Sequence, residues 1–285
     1  MSNPLKKKPP TRSVHLLIDA DSLCFRAAHV ASKEEVKQEP IGNKFGFEEE
    51  HINEEKKCPL AVFDSMLEDI LTYCRVNLAL EGTQVTGFTT YYTVNERYAI
   101  CEGLPQNFRK DLWEGYKGCR HGMPMPERLE EVFEYAVMKE HAILCAGKEA
   151  DDVVAYEKMK DPEGTLMVAL DKDLLFGIPG RHLNFNKWEM VTTTEDEALR
   201  YWHIQVLEGD SSDCYKGAKG VGKVGARKII HEGLTCPKAM WEAVLKAYLD
   251  AGMTKDDAIL TMRLASMRQW NGSEIVLWEP PLSEN

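Results

Sequence analysis

Four tight groups of carboxylates punctuate this chain: Asp19; Glu149, Asp151 and Asp152; Asp171 and Asp173; Asp210 and Asp213. Carboxylates brought together repel one another unless a cation binds between them. As hard oxygen donors they favour Mg²⁺ or Mn²⁺ over zinc, which prefers Cys and His. Two such ions, about 3.5–4 Å apart, can activate a water and stabilise the leaving oxygen of a phosphodiester. Taken singly, each group also reads as solvated acids, helix caps or turn formers, since Asp is common at helix starts. Their placement argues for convergence. Asp19 ends the β-type run His15-Leu-Leu-Ile18, and Asp171 and Asp173 follow an expected strand over 165–170. Ligands of open parallel sheets bind beyond the carboxyl ends of the strands, where both groups would project. Asp171 and Asp173, two apart, share one side of extended backbone. Glu149 and Asp152 are one helical turn apart, as are Asp210 and Asp213 if that segment is helical.

A second constellation follows the last carboxylates. From Cys214 to Ile230 there are five cations (Lys216, Lys219, Lys223, Arg227, Lys228) and no acid. Within it, Gly217, Gly220, Gly222 and Gly225 mark backbone that turns tightly or lies close to something, ahead of a helix expected to turn Val224, Ile229 and Ile230 inward. Free N–H groups at such a turn and helix start form an anion site, and flanking lysines suit a phosphate backbone read without base specificity. A plain tight turn and a nucleotide cofactor are the competing readings. The cofactor fingerprint needs a preceding strand, and none is expected there.

The elements that must position these groups alternate. A helix is expected over 60–80, where Leu60, Phe63, Leu67, Ile70 and Cys74 recur on one face, then a strand over 84–93 rich in Thr, Val, Tyr and Phe. Helix 126–141, strand 142–145, helix 149–159 and strand 165–170 follow, then a short β-type pair over 183–191, a helix from about 195, and helical stretches over 237–249 and 254–269. This order implies an α/β fold, a mostly parallel central sheet flanked by helices. The organisation read from it is a basic, disordered tail over 1–13 (Lys6, Lys7, Lys8, Arg12), a core over 14–205, and a helical subdomain with a tail over 206–285. The core carries a polar insertion over 31–58 and a long excursion over 94–125.

Composition narrows the class. At 285 residues and 44% hydrophobic, the chain can bury a real core, and no apolar run is long enough to span a bilayer. No signal-type stretch follows the basic start, so a soluble cytoplasmic protein is expected. The eight cysteines include no Cys-x-x-Cys pair, and free thiols are the expectation. A net charge of −11 disfavours generic nucleic-acid binding, but a protein with its cations segregated on one face stays compatible with DNA.

Taken together these features resemble the 5′-nuclease (flap endonuclease) superfamily, and most closely the 5′→3′ exonucleases of T-odd bacteriophages. The resemblance rests on Glu149-Ala-Asp-Asp152, on Asp171-Lys-Asp173, and above all on Tyr201-Trp-His-Ile-Gln-Val-Leu-Glu-Gly-Asp210-Ser-Ser-Asp213 followed by Gly217, Gly222 and Gly225. It implies a two-ion Mg²⁺ or Mn²⁺ nuclease acting on double-stranded DNA with a 5′ end or flap. Asp19, Glu149, Asp151 and Asp171 would then form the tighter metal site, Asp173, Asp210 and Asp213 the second, with Asp152 beside them. Tyr116-Lys117-Gly-Cys-Arg120 resembles the family's Tyr-Lys-x-x-Arg element, which implies that Lys117 and Arg120 offset phosphoryl charge and that Tyr116 stacks on a base. Arg26, seven residues after Asp19, matches a family basic residue. The glycine turn (Lys216, Gly217, Lys219, Gly220, Gly222, Lys223, Gly225, Arg227) would grip duplex phosphates in a C-terminal helix–turn–helix element, beside a monovalent cation, which makes 206–285 a DNA-binding subdomain and 94–125 arch-like. A flap endonuclease or a non-catalytic DNA-binding relative are the alternatives; a PIN-type RNase would lack the glycine element. The resemblance breaks once: the family carries an aspartate just after the second strand, where this chain reads Tyr92-Thr93-Val94-Asn95-Glu96, leaving Asn95 or Glu96 to stand in.

Overall fold

The computed structural model describes residues 12–32, 58–120 and 122–281. The tail lysines and most of the expected insertion lie outside the described residues. The chain opens with strand β1 (Arg12–Asp19), helix α1 (Ala20–Ser32), helix α2 (Pro59–Leu80) and strand β2 (Thr83–Thr93). Arg12 and Ser13 already pair with Thr83 and Gln84, so the boundary expected at 13 moves inward, and Ala31 and Ser32 end α1 rather than beginning an insertion. The excursion over 94–125 holds two short helices, α3 (Glu96–Cys101) and α4 (Phe108–Leu112), and a 3₁₀ turn at Gly118–Arg120. Asn95 and Asn107 start these helices by accepting the backbone N–H groups of Tyr98 and Arg109. Next come α5 (Leu129–Glu140), β3 (Ile143–Cys145), α6 (Ala150–Lys160), β4 (Thr165–Ala169), α7 (Lys172–Gly177), β5 (Gly180–Asn184), β6 (Glu189–Thr193) and α8 (Glu195–Glu208). A two-residue hairpin, β7 (Gly209–Asp210) and β8 (Tyr215–Lys216), leads into the glycine turn and α9 (Lys223–Ile229), then α10 (Pro237–Asp250) and α11 (Lys255–Ala265). The last helix ends four residues short of the expected 269, at Ser266, which is extended.

The sheet runs β3-β2-β1-β4-β5-β6, parallel throughout except for the β5–β6 hairpin. Strand periodicity sorts its side chains into two layers. Leu16, Ile18, Leu166 and Val168 face α1, α2 and α5 through Leu23, Phe63, Ile70 and Val132. Leu17, Met167 and Ala169 face the other way, onto Val154 of α6, Trp202 and Val206 of α8, and the C-terminal helices through Met240 and Met262. The chain leaves β1 toward β2 and β3, then returns to place β4 on the other side of β1. That reversal opens a crevice beyond the carboxyl ends of β1 and β4.

Candidate active site

Asp19 is the last residue of β1 and Asp171 follows β4, so the reversal of strand order sets them side by side at the mouth of the crevice. Both are fixed by the helices that start there. Asp19 Oδ1 accepts the backbone N–H of Asp21 at 3.0 Å, its other oxygen takes the Ser22 hydroxyl, and Asp171 caps α7 by accepting the N–H of Asp173 at 2.7 Å. Glu149 is the N-cap of α6, which brings Asp151 into the same space. Asp210 ends β7 and Asp213 follows in the turn before β8.

These groups lie within one another's electrostatic reach. Burial, then Asp21 and Asp171, push Asp19 up to about 7. Burial, then Asp173, pushes Asp171 up to about 6, and burial with Asp19, Asp171 and Glu149 holds Asp151 well above the carboxylate range. Carboxyls forced together in low dielectric titrate late in this way. Glu149 is the exception. Burial would raise it, but Lys117 and Arg109 outweigh that and hold it down at about 2. Lys117 Nζ contacts Glu149 and lies 3.8 Å from Asp213. Lys172 Nζ pairs with Asp210 at 2.7 Å and lies 3.6 Å from Asp173, which also accepts hydrogen bonds from Tyr201 and Gln205.

As the side chains stand, no three ligand-type groups among the described residues close on one point to hold an ion. The fit to a divalent cation lies in the donor chemistry: partly desolvated carboxylate oxygens with no Cys or His among them. The ammonium groups of Lys117 and Lys172 supply countercharge at its two sides.

Several expected site residues are placed otherwise. Asp152 is fully buried and points away from the crevice; Arg109 binds both its oxygens, at 2.7 and 2.8 Å, and its Oδ2 also accepts the Glu149 N–H. It is a support for α6, not a cation ligand. Tyr116 is only 2% exposed, with its hydroxyl 3.2 Å from both Glu149 and Asp213, so it cannot stack on a base. Arg120 reaches Asp213 at 2.9 Å, whereas Arg26 bonds Asn186 in the β5–β6 turn rather than a carboxylate. Gly217 is buried, and a Cβ there would meet the Leu207 carbonyl at 2.2 Å, so it serves close backbone packing instead of a ligand. Gly222 has an ordinary φ of −98°, and of the turn's glycines only Gly220, at +81°, needs a left-handed backbone. Val224, expected inward, is 70% exposed. Lys216, Lys219, Gly220, Gly222, Lys223 and Arg227 are exposed, with open space above Gly220 and Gly222, and a groove of about 440 Å³ runs from Lys219 and Gly220 along α10.

Sequence reasoning missed three features. Arg109 carries no local signal; its role exists only because the carbonyls of Leu264 and Ser266 and the carboxylate of Asp152 meet it in space. Cys119 and Cys214 form a disulfide, against the expectation of eight free thiols; 95 residues of separation gave no spacing pattern to read. Asp21 was passed over although it stands two residues from Asp19 in the first turn of α1.

No protein-family model matches the chain. It is 23% identical over 215 residues to the exonuclease of Escherichia phage T7, a match spanning 61% of this chain and 71% of that one. It is 28% identical over 168 residues to a 5′-3′ exonuclease of Bacillus subtilis, spanning 50% of this chain and 55% of the relative. Among solved structures, the T5 5′-exonuclease with bound divalent metal ions (zinc) covers 90% of both chains at 16% identity with a TM-score of 0.59. A phage T5 flap endonuclease in complex with DNA and metal ions gives the same TM-score and coverage at 14% identity. The chain is thus similar in sequence to 5′-3′ exonucleases and shares the fold of the T5 5′-exonuclease. Asn95 is committed to capping α3, where its Oδ1 accepts the Tyr98 N–H at 2.8 Å, and neither β2 nor Val94 offers an acid.

Proposed function

We propose that this 5′-nuclease hydrolyses phosphodiesters of double-stranded DNA from a 5′ end, in the 5′→3′ direction, leaving 5′-phosphorylated products. The observation that carries the reading is the convergence of Asp19, Glu149, Asp151, Asp171, Asp173, Asp210 and Asp213 on the crevice where strand order reverses. Asp19, Glu149, Asp151 and Asp171 would hold one Mg²⁺ or Mn²⁺, and Asp173, Asp210 and Asp213 a second. Bound there, the ions would polarise the phosphoryl group and lower the pKa of the attacking water.

The chain's own cations do the rest. Lys117 and Arg120, now resting on Glu149 and Asp213, are placed to turn toward a phosphate as ions take over those carboxylates, and so to stabilise charge developing on it. Lys216, Lys219, Lys223 and Arg227 on the open face of the glycine turn would grip duplex phosphates away from the cut, with a monovalent cation near the turn and α8, the turn and α9 acting as the helix–turn–helix element. The names of the T7 and Bacillus subtilis relatives, and the metal ions and DNA of the T5 structures, support this reading. No helix of the described residues is long and apolar enough to cross a membrane, and we place the protein in the cytoplasm, that of an infected bacterium if its origin is a phage.

A flap endonuclease is the second reading, because the T5 neighbour carries that name too. Digestion of a 5′-flapped duplex, a blunt duplex and an RNA–DNA hybrid, each with Mg²⁺ and with EDTA, separates the two. Shortening of the blunt duplex from its 5′ end in Mg²⁺ alone supports the exonuclease. Incision at the flap base with blunt DNA left intact supports the endonuclease, and full activity in EDTA rules out both.

A further inference from the structure

The start of α1 puts an acid at the end of β2. Asp19, which ends β1, pairs with Tyr91, and the second residue of α1 lies against Thr93, the end of β2. That residue is Asp21. Its Oδ1 accepts the Thr93 N–H at 3.0 Å. Thr93 Oγ1 in turn accepts the N–H of Ala150 at 2.8 Å, the first residue of α6 and the neighbour of Glu149. One short chain of contacts thus ties the β1–α1 turn, the end of β2 and the start of α6 around the same space. No lysine or arginine among the described residues forms an ion pair with Asp21.

We propose that Asp21 is a ligand of the first divalent ion, supplying a carboxylate from the first turn of α1, beside the end of β2. The inference rests on the two-ion reading above. An acid in the first turn of a helix that accepts a backbone N–H is also what a purely structural cap looks like. The two roles differ in sign. A structural cap stabilises the metal-free protein, whereas a ligand among like charges costs stability until the ion arrives.

The test uses the full chain without DNA. Mn²⁺ binding is followed by electron paramagnetic resonance for wild type, Asp21→Asn and Asp21→Ala, beside thermal melts with and without Mn²⁺. Asparagine keeps the acceptor for Thr93 and removes only the charge. Expected for Asp21→Asn is a loss of about tenfold or more in the tighter Mn²⁺ affinity, the scale reached even by weaker perturbations around bound metals. The metal-free melting temperature should hold or rise, and the gain on adding Mn²⁺ should shrink. Asp21→Ala should lose the same affinity. Unchanged Mn²⁺ affinity in Asp21→Asn, or a lower metal-free melting temperature with the full Mn²⁺ gain retained, overturns the assignment. Wild type that binds no Mn²⁺ overturns the two-ion reading itself.

Discussion

At the scale of single residues, three acids of the crevice are held above the ordinary carboxylate range. Burial is the largest cause in each case: Asp19 is pushed up to about 7, Asp21 and Asp171 to about 6. A folded pKa above the ordinary value of about 3.9 means that the native state binds more protons than the unfolded chain. The stability these groups contribute is therefore full below pH 4 or so and lost as pH rises through 6 to 7. Glu149, held down at about 2, works in the opposite sense, but its window lies below pH 4.5 and does not overlap. In EDTA the protein should melt at a higher temperature near pH 5.5 than near pH 8, and saturating Mg²⁺ should abolish or reverse that difference. Melts across pH check this; a metal-free melting temperature that climbs steadily toward pH 8 would show that the carboxyls do not repel one another. Residue identity was legible where spacing carried it, as with Asp171 and Asp173. It was not for Asp152 or Tyr116, because whether a side chain faces the crevice or the core depends on partners such as Arg109, far away in sequence.

At the scale of elements, Arg109 holds the site's frame. Its guanidinium is 1% exposed and joins α4 to Asp152 in α6 and to the carbonyls of Leu264 and Ser266 at the end of α11. Removing one partner of a buried pair leaves an uncompensated charge, at a cost of about 3–5 kcal/mol. Arg109→Met should destabilise by that amount, and Asp152→Leu added to it should restore part of the loss. Denaturant titrations measure both; a single variant as stable as wild type would mean that the pair is idle. The sheet was readable because β1 and β4 are short apolar runs ended by acids and β2 is rich in β-branched and aromatic residues. The helices α3 and α4 were not. At six and five residues they are too short to show a period, and their asparagine caps are recognisable only once the helices are seen.

At the scale of the whole molecule, charge is segregated. The chain carries −11 overall, yet the turn and α9 present Lys216, Lys219, Lys223, Arg227 and Lys228 on exposed positions. Lys219→Ala and Lys223→Ala should weaken duplex binding equally across DNA sequences and flatten its salt dependence by about one unit of log–log slope per lost phosphate contact. Binding across a salt series, on duplex and on single strands, checks this; equal weakening of both substrates would deny the turn a duplex-specific role. The sequence made this patch plain because its cations are contiguous. The carboxylate crevice is assembled from four distant segments, and the strand order 3-2-1-4-5-6 brings them together.

The most direct measurement of the whole account is single-turnover cleavage of a 5′-labelled duplex by wild type and Asp171→Ala in saturating Mg²⁺, beside binding of the same duplex in Ca²⁺. Asp171 stands at the junction of the two proposed ion sites, so its loss should cut the rate by orders of magnitude. Binding should be as tight or tighter, since a negative charge near phosphate is gone. An Asp171→Ala protein that cleaves at close to the wild-type rate would contradict the account at its centre.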